Sequence, residues 1–146
     1  DPWVQPIYQN MYALYDKERI EKLILDGAIE IVPVSFMRGR TFLDSVVIVD
    51  EAQNVTHEQM QMIVTRIGLR SKMIICGDDH QVDLKSKRDS GFRFLYAGAR
   101  KIKNMVGISL MTNHRDPIVE SLIDLYDEAE ANGLNLGTAG SSGKHK

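Results

Sequence analysis

The chain has 146 residues, of which 43% are hydrophobic and 26% are charged, and its net charge is −2 at pH 7. That length fits one globular domain that can fold without disulfides or a structural metal. The composition excludes collagen-like, disordered and disulfide-rich proteins. Apolar runs stay well below about 18 residues, so we predict no membrane span. The small net charge gives the chain no overall attraction to nucleic acids or membranes.

The single cysteine, Cys76, follows three apolar residues and is predicted to be a small core side chain. One cysteine cannot form an internal disulfide, so we expect a reducing, cytoplasmic location. The chain starts at Asp1 without a signal-peptide pattern. We therefore expect it to be a piece of a longer protein.

The first 43 residues predict two helices, a strand and a basic loop. Apolar residues at helical spacing indicate a helix over residues 7–15 and a second helix that is capped by Asp16 and ended by Gly27. Branched apolar side chains predict a strand over residues 28–34. Residues 35–43 are predicted to form a basic loop.

Residues 46–76 contain the strongest structural pattern. The wholly apolar run 46–49 predicts a strand that is buried on both faces. Thr56 and Gln59 have the spacing of a capping box, which indicates the start of a helix that ends at Gly68. A second apolar run, 73–76, follows. A strand, a helix and a strand within about thirty residues predict a parallel sheet.

The rest of the chain alternates between basic, apolar and acidic segments. Residues 85–103 contain seven lysines and arginines against one acid. Residues 106–111 are predicted to form a third parallel strand. Asp116 and Pro117 predict the start of a last helix, with one apolar and one acidic side.

Polar groups follow each predicted strand of the parallel sheet. In open parallel sheets, ligands bind beyond the carboxyl ends of the strands. Asp50 and Glu51 follow the first strand, residues 77–81 follow the second, and residues 113–115 follow the third. An apolar strand ending in Asp-Glu is typical of P-loop ATPases, where the carboxylates hold Mg²⁺ and polarise water, but it is also common at helix N-caps.

Two further residues fit phosphate chemistry at the same edge. A neutral amide such as that of Gln81 can bond phosphate without adding charge. Arg115 has the planar guanidinium that suits developing phosphoryl charge. Three such groups in order on three strands favour a nucleotide site over a purely structural arrangement.

Four stretches together resemble one family. They are MRGRT at 37–41, VVIVDEAQN at 46–54, GDDHQVDL at 77–84 and HRDPIVESLIDLY at 114–126. The combination resembles the PhoH-like ATPases, which are related to superfamily 1 helicases. The resemblance covers about residues 1–131. It implies a RecA-like P-loop NTPase fold with a parallel sheet flanked by helices, binding and hydrolysis of ATP with Mg²⁺, a link to RNA, and ring-shaped homo-oligomers.

The resemblance also implies roles for particular residues. Asp50 would be the Mg²⁺-side carboxylate and Glu51 the catalytic one, while Arg115 would act as a cationic finger, within one subunit or across a subunit boundary. Gln53 and Gln81 would sense the phosphate. The implied nucleotide-binding residues are Asp50, Glu51, Gln53, Gly77, Asp78, Gln81 and Arg115.

The family's Gly-rich phosphate loop, G-x-x-x-x-G-K-[ST], does not precede Asp50. The tail 137–146 is not such a loop, because two of its required positions hold other residues. We therefore expect the phosphate-loop half of the fold to be absent, by truncation or by degeneration, and this chain alone to bind ATP poorly. Residues 1–132 would be the C-terminal portion of the ATPase core, and residues 133–146 a flexible tail.

Basic residues on two segments are candidates for nucleic-acid binding: Arg38, Arg40, Lys85, Lys87 and Arg88. Cations beside aromatic rings, as in 85–103, suit single-stranded nucleic acid. The alternatives stay open. Arg38 and Arg40 can also contact the nucleotide or a neighbouring subunit, or pair with Asp44 or Asp50, and Phe94 and Leu95 are expected to pack on the sheet.

Two other function classes fit parts of the sequence. A metal-dependent nuclease or phosphatase could use an oxygen-rich site of Asp50, Glu51, Asp78, Asp79 and His80. A non-hydrolysing module that binds RNA or a protein partner would fit the missing phosphate loop.

Overall fold

The computed structural model describes residues 4–112 and 114–133, and the chain divides into two units, Asp1–Gly107 and Ile108–Lys146. The first unit contains α1 (Gln5–Leu14), α2 (Lys17–Leu25), β1 (Val46–Val49), α3 (His57–Val64), β2 (Lys72–Ile75) and α4 (Gly91–Gly98). The second contains α5 (Pro117–Ala131). None of the helices in the described ranges is long and apolar enough to cross a membrane. The proposed tail, except Gly133, lies outside the described residues.

The sheet and its crossover confirm the strand, helix and strand expected over residues 46–76. β1 and β2 are parallel, with Val46 paired to Lys72 at one end and Val49 to Ile75 at the other. α3 begins with the expected capping box between Thr56 and Gln59. The chain is therefore an α/β protein with a parallel pair of strands flanked by helices.

Gly68 does not end α3, which stops at Val64. The reason for a glycine there is close packing. A Cβ atom at Gly68 would lie 2.6 Å from the carbonyl oxygen of Phe42, in the segment before β1.

The core lies on one face of the sheet. Its buried members are Met37, Val49, Ala52, Met60 and Ile63. α3 supplies two of them, and partly buried Phe92 and Leu95 of α4 pack against the cluster. The two helices therefore cover one face of β1 and β2.

The expectation that β1 is buried on both faces is wrong for the described chain. Val46 and Ile48 point away from the core and are 68% and 67% exposed, and their neighbour Ile74 on β2 is 44% exposed. Parallel sheets normally have both faces covered. Here α3 and α4 pack on one face, and the described residues leave the other open.

Two predicted strands are absent from the described residues. Residues 28–34 form no strand, although Val32 and Val34 pack against the core. Residues 106–111 form none either, and Val106, Ile108 and Leu110 are at least 70% exposed. Alternating apolar residues suit a strand, but a strand also needs a neighbouring backbone to pair with. Neither segment pairs with β1 or β2.

Two other expectations need correction. Cys76 is exposed, because the alternation of side chains along β2 puts it on the same open face of the sheet as Ile74. The basic segment 85–103 contains α4, a helix that was not among the elements expected from the sequence. The start of α5 is as expected, with the side chain of Asp116 accepting a hydrogen bond from the backbone N–H of Ile118 at 3.0 Å.

Candidate functional site

The loops that follow β1 and β2 are bonded to each other. After β1, the chain passes through Asp50 and Glu51 into a single 3-10 turn over Ala52–Asn54. The backbone N–H of Ala52 donates to the carbonyl of Cys76 at 2.9 Å. The expected meeting of two polar groups at the carboxyl end of the sheet is therefore present in the structure.

The two carboxylates after β1 are exposed. An oxygen of Asp50 accepts the backbone N–H of Glu51 at 3.0 Å. Glu51 has φ 53° and ψ 36°, the left-handed region that non-glycine residues rarely occupy. Such backbone strain persists where the surrounding structure holds it, and it is frequent at functional sites.

Three acids of this edge have no basic partner among residues 4–112. Across residues 4–112, Asp50, Glu51 and Asp78 form no ion pair, and their hydrogen bonds come from neutral groups. An edge with uncompensated carboxylates attracts cations.

The loop after β2 is organised by Asp78. Its carboxylate accepts the backbone N–H of His80 at 2.9 Å and the side-chain amide of Gln81, also at 2.9 Å. Gln81 is exposed, so its amide lies at the surface of the loop in an orientation held by Asp78. Gly77 precedes them with little room for a side chain, since a Cβ atom there would lie 3.1 Å from the backbone N of Gln53.

Gln53 lies between the two loops and is 1% exposed. Its Nε2 donates to Oε2 of Glu51 at 2.7 Å, and its Oε1 accepts the backbone N–H of Asp78 at 3.2 Å. Both ends of its amide are therefore used inside the protein.

Further contacts tie this edge to α4. Asp83 donates its backbone N–H to Oδ1 of Asn54 at 2.7 Å. Arg93 of α4 forms an ion pair with Asp79 at 2.7 Å. Ser90, the N-cap of α4, donates its hydroxyl to the carbonyl of Gln53 at 2.8 Å. The two loops and the start of α4 thus form one connected structure.

Sequence reasoning missed Asn54, Asp83, Ser90 and Arg93. Ser90 had a local signal, since a serine directly before Gly91 fits a helix N-cap. The pairing of Asn54 with Asp83 spans 29 residues and leaves no local pattern.

Arg115 lies in the second unit, just before α5. Residue 113, part of the same predicted group, lies outside the described residues. That Arg115 meets Asp50 and Gln81 stays a prediction.

The oxygen-rich metal site is not formed as expected. Within residues 4–112 and 114–133, no three His, Cys, Asp or Glu residues are arranged to hold a metal ion. Asp79 instead pairs with Arg93, and Asp78 bonds to the two residues that follow it in the loop. The five residues named for the nuclease or phosphatase alternative therefore do not form a single cluster in the described ranges, and that alternative stays a prediction.

Arg38 and Arg40 pair with acids other than those expected. Arg40 forms two hydrogen bonds with Glu30, at 2.8 and 2.7 Å, and lies 5.4 Å from the ring centre of Phe42. The hydrogen bonds from Arg40 lower the pKa of the Glu30 carboxyl. Arg38 lies 3.9 Å from Glu58 and is largely exposed. Pairing with acids, one of the alternatives left open by the sequence, is therefore observed, but the partners are Glu30 and Glu58 and not Asp44 or Asp50.

The basic segment around α4 has exposed cations and exposed rings. Lys85, Lys87 and Arg88 are exposed, and Phe94 is 71% exposed. The ring of Phe94 contacts His57 edge to face at 5.3 Å. Phe94 therefore does not pack on the sheet as expected, whereas Leu95 does contact the core.

These features define an α/β protein with acidic and amide groups at the carboxyl ends of adjacent parallel strands. Residues 1–127 match the family described as PhoH-like protein, and the chain belongs to that family.

Known relatives agree with this assignment. The chain is 41% identical to a PhoH-like protein of Bacillus subtilis over 133 residues, which are 88% of this chain and 41% of the relative. It is 37% identical to a PhoH-like protein of Mycobacterium leprae over 143 residues, 95% of this chain and 40% of the relative. It is 30% identical to Protein PhoH2 of Thermobispora bispora over 131 residues, 87% of this chain and 29% of the relative. The chain thus spans about 40% of the length of the two PhoH-like proteins.

Proposed function

We propose that this chain contributes the carboxylate and amide side of an ATP-binding and ATP-hydrolysing site. The observation behind the proposal is the bonded edge at the carboxyl ends of β1 and β2. There, exposed Asp50 and Glu51 lie on one loop and exposed Gln81 on the other, and Gln53 bridges the two loops. In parallel sheets this edge is where ligands bind.

Mg²⁺ fits the residues present, because a small hard cation prefers oxygen ligands and Asp50 is an exposed carboxylate. When bound, the ion would neutralise phosphate charge. Asp50, directly after β1, would hold the ion. Glu51 would accept a proton from the attacking water as a general base. Gln81 would bond to the terminal phosphate, and Arg115, from this or a neighbouring copy, would stabilise the charge that develops on it.

The decisive experiment compares Glu51→Gln with the parent protein. Because the relatives are longer, ATP turnover is measured in this chain and in a hybrid where the chain replaces the matching segment of the Bacillus subtilis PhoH-like protein. We expect Glu51→Gln to lower kcat at least about 10²-fold, since it removes the general base, and to leave the Kd for ATP unchanged.

Glu58→Gln is the matched control, because Glu58 is an exposed acid on α3 outside the proposed site. We expect it to leave turnover unchanged. Equal turnover in the parent and in Glu51→Gln would contradict the assignment of Glu51. Hydrolysis that persists without a divalent cation would contradict the role of Asp50.

A second proposal, that the surface around α4 binds single-stranded RNA, follows from its chemistry. Lys85, Lys87 and Arg88 are exposed, and the ring of His57 connects this segment to the exposed ring of Phe94: it hydrogen-bonds the carbonyl of Arg88 at 2.7 Å and contacts Phe94 edge to face. Cations bind the phosphate backbone, and aromatic faces stack on bases. Ser90 and Arg93 connect this surface to the proposed nucleotide edge.

RNA binding is tested by fluorescence anisotropy with a labelled single-stranded oligonucleotide. The affinity should fall with salt, and the slope of log K against log salt should weaken by about two when Lys85, Lys87 and Arg88 are replaced by alanine. Replacing Lys17, Arg19 and Lys22 of α2 removes the same number of cations elsewhere and should change little. Salt-independent binding, or equal losses in both triple variants, would contradict the proposal.

A further inference from the structure

Gln53 is a polar side chain buried in the middle of the proposed site. Only 1% of it is exposed, although the acids beside it are exposed. Its donor end is bonded to Oε2 of Glu51 at 2.7 Å and its acceptor end to the backbone N–H of Asp78 at 3.2 Å. One N–H of Nε2 and one lone pair of Oε1 have no hydrogen bond among the described contacts, but a side chain that is only 1% exposed presents no surface at which a phosphate could reach them.

The backbone of Gln53 is held as firmly as its side chain. Ser90, also 1% exposed, donates its hydroxyl to the carbonyl of Gln53 at 2.8 Å. The preceding residue, Ala52, is fully buried and bonds to the carbonyl of Cys76 at 2.9 Å. Gly77 approaches so closely that a Cβ atom there would lie 3.2 Å from Oε1 of Gln53. The amide is therefore a fixed point relative to both strands and α4.

Glu51, in contrast, needs an external support. Its carboxylate is exposed, and its backbone is in the left-handed region at φ 53°. An exposed glutamate has several free side-chain torsions, and a catalytic base must be held in one orientation to be effective. Among the described contacts, the one that restrains the Glu51 carboxylate is the bond from Nε2 of Gln53.

We propose that Gln53 is a positioning residue: its buried amide orients Glu51 and joins the loop after β1 to the Asp78 loop, and it does not contact phosphate. This inference rests on the proposed function of Glu51. It replaces the phosphate-sensing role that the family resemblance implies for Gln53.

Two substitutions separate the two ends of the amide. Gln53→Met keeps the approximate length of the side chain and removes both hydrogen bonds. Gln53→Glu keeps an oxygen that can accept the Asp78 N–H, but loses the donor to Glu51 and adds a like charge. Gln61→Met, on the exposed side of α3, is the matched control for replacing a glutamine by methionine.

Turnover is measured in the hybrid with the Bacillus subtilis relative. Misplacement of a catalytic group by about 1 Å can cost 10²-fold in rate. We therefore expect both Gln53 variants to lower kcat by about 10- to 100-fold, while the Kd for ATP changes less than about twofold. Gln61→Met should match the parent. A kcat within twofold of the parent, or a rise in Kd comparable to the loss of kcat, would overturn the proposal, the latter because it indicates direct contact with the nucleotide.

A second pair of measurements uses the chain itself and needs no turnover. By NMR, Glu51 should show side-chain couplings of a single rotamer in the parent and averaged couplings in both Gln53 variants. Amide hydrogen exchange at Asp78 should accelerate in Gln53→Met and stay protected in Gln53→Glu. Unchanged Glu51 couplings in the variants would overturn the proposal.

The two proposals fail differently. If Glu51→Gln leaves turnover unchanged, the proposed function is wrong, and the NMR measurements still decide whether Gln53 orients Glu51. If Glu51→Gln abolishes turnover and the Gln53 variants do not lower it, the positioning role alone is wrong.

Discussion

The two ends of the sheet use the same unusual backbone for different purposes. At the amino end, Asp44 and Arg70 each lie two residues before a strand and have left-handed φ angles of 50° and 53°. Their side chains form a two-point ion pair, with Nη2 of Arg70 at 2.8 Å from Oδ2 of Asp44. At the carboxyl end, Glu51 has the same backbone, but a neutral amide holds its carboxylate.

The difference lies in the balance of charge. Asp44 raises the pKa of Arg70 through their hydrogen bonds, and each group compensates the other. Asp50 and Glu51 have no such partner across residues 4–112. A left-handed residue alone therefore does not mark a functional site. What distinguishes Glu51 from Asp44 and Arg70 is its uncompensated charge at the edge where open parallel sheets bind ligands.

The largest expected effect compares a glycine at each end. In Gly68→Ala, the new Cβ would lie 2.6 Å from a backbone oxygen, so we expect a loss of about 2–3 kcal/mol in the free energy of unfolding. In Gly77→Ala the nearest atoms lie at 3.1 Å, and we expect about 1 kcal/mol. Urea unfolding of both variants measures the two losses. A larger loss for Gly77→Ala would show that the carboxyl end is the more rigid one.

A smaller effect is expected from removing the left-handed side chains. Glu51→Gly should relieve backbone strain and a repulsive charge, and water that fills the space left by the deleted side chain can replace the carboxylate as the partner of Gln53. The relief of strain is partly offset by the conformational entropy that the new glycine loses on folding, so we expect the free energy of unfolding to rise by about 0.5 kcal/mol. ATP turnover should be lost. Arg70→Gly relieves the same left-handed backbone strain but loses the ion pair with Asp44. This variant should therefore not be more stable than the parent. Thermal unfolding that ranks Arg70→Gly above Glu51→Gly would contradict the comparison.

Local sequence patterns predicted the elements that depend on neighbouring residues. The capping box of Thr56 and Gln59 and the start of α5 at Asp116 were confirmed, because each depends on contacts within a few residues. The segments 28–34 and 106–111 also have a local pattern, the run of apolar residues that is typical of a strand. They form no strand, because pairing depends on a distant backbone that a local pattern does not report.

The candidate site divides in the same way. The meeting of the loops after β1 and β2 was predictable from the parallel arrangement, since the carboxyl ends of parallel strands lie at one edge. The burial of Gln53 was not, because its contacts with Asp78 and Ser90 span 25 and 37 residues. Such contacts appear only once the chain is folded.

Magnesium gives a weaker test of the same difference in charge. If Asp50 binds Mg²⁺, the ion should stabilise the folded chain by about 0.4 kcal/mol when its concentration equals the Kd, and more at higher concentration. Asp50→Asn should lose this stabilisation, while Asp44→Asn, at the compensated end, should keep it. Thermal unfolding at increasing Mg²⁺ measures both. An equal response in the two variants would indicate general screening and not a site.

The smallest expected effect concerns Glu30, a second acid that an arginine compensates. Hydrogen bonds from Arg40 lower the pKa of Glu30 below its ordinary value of 4.5 in the folded chain. The stabilisation from this pair is therefore fully present above pH 4.5 and is lost as the pH falls through the lowered pKa. An NMR titration should show the lowered pKa in the parent and its return toward 4.5 in Arg40→Gln. The same titration in Arg38→Gln is the control, because Arg38 lies near Glu58. If Arg40→Gln leaves the Glu30 titration unchanged, Arg40 is not the compensating charge.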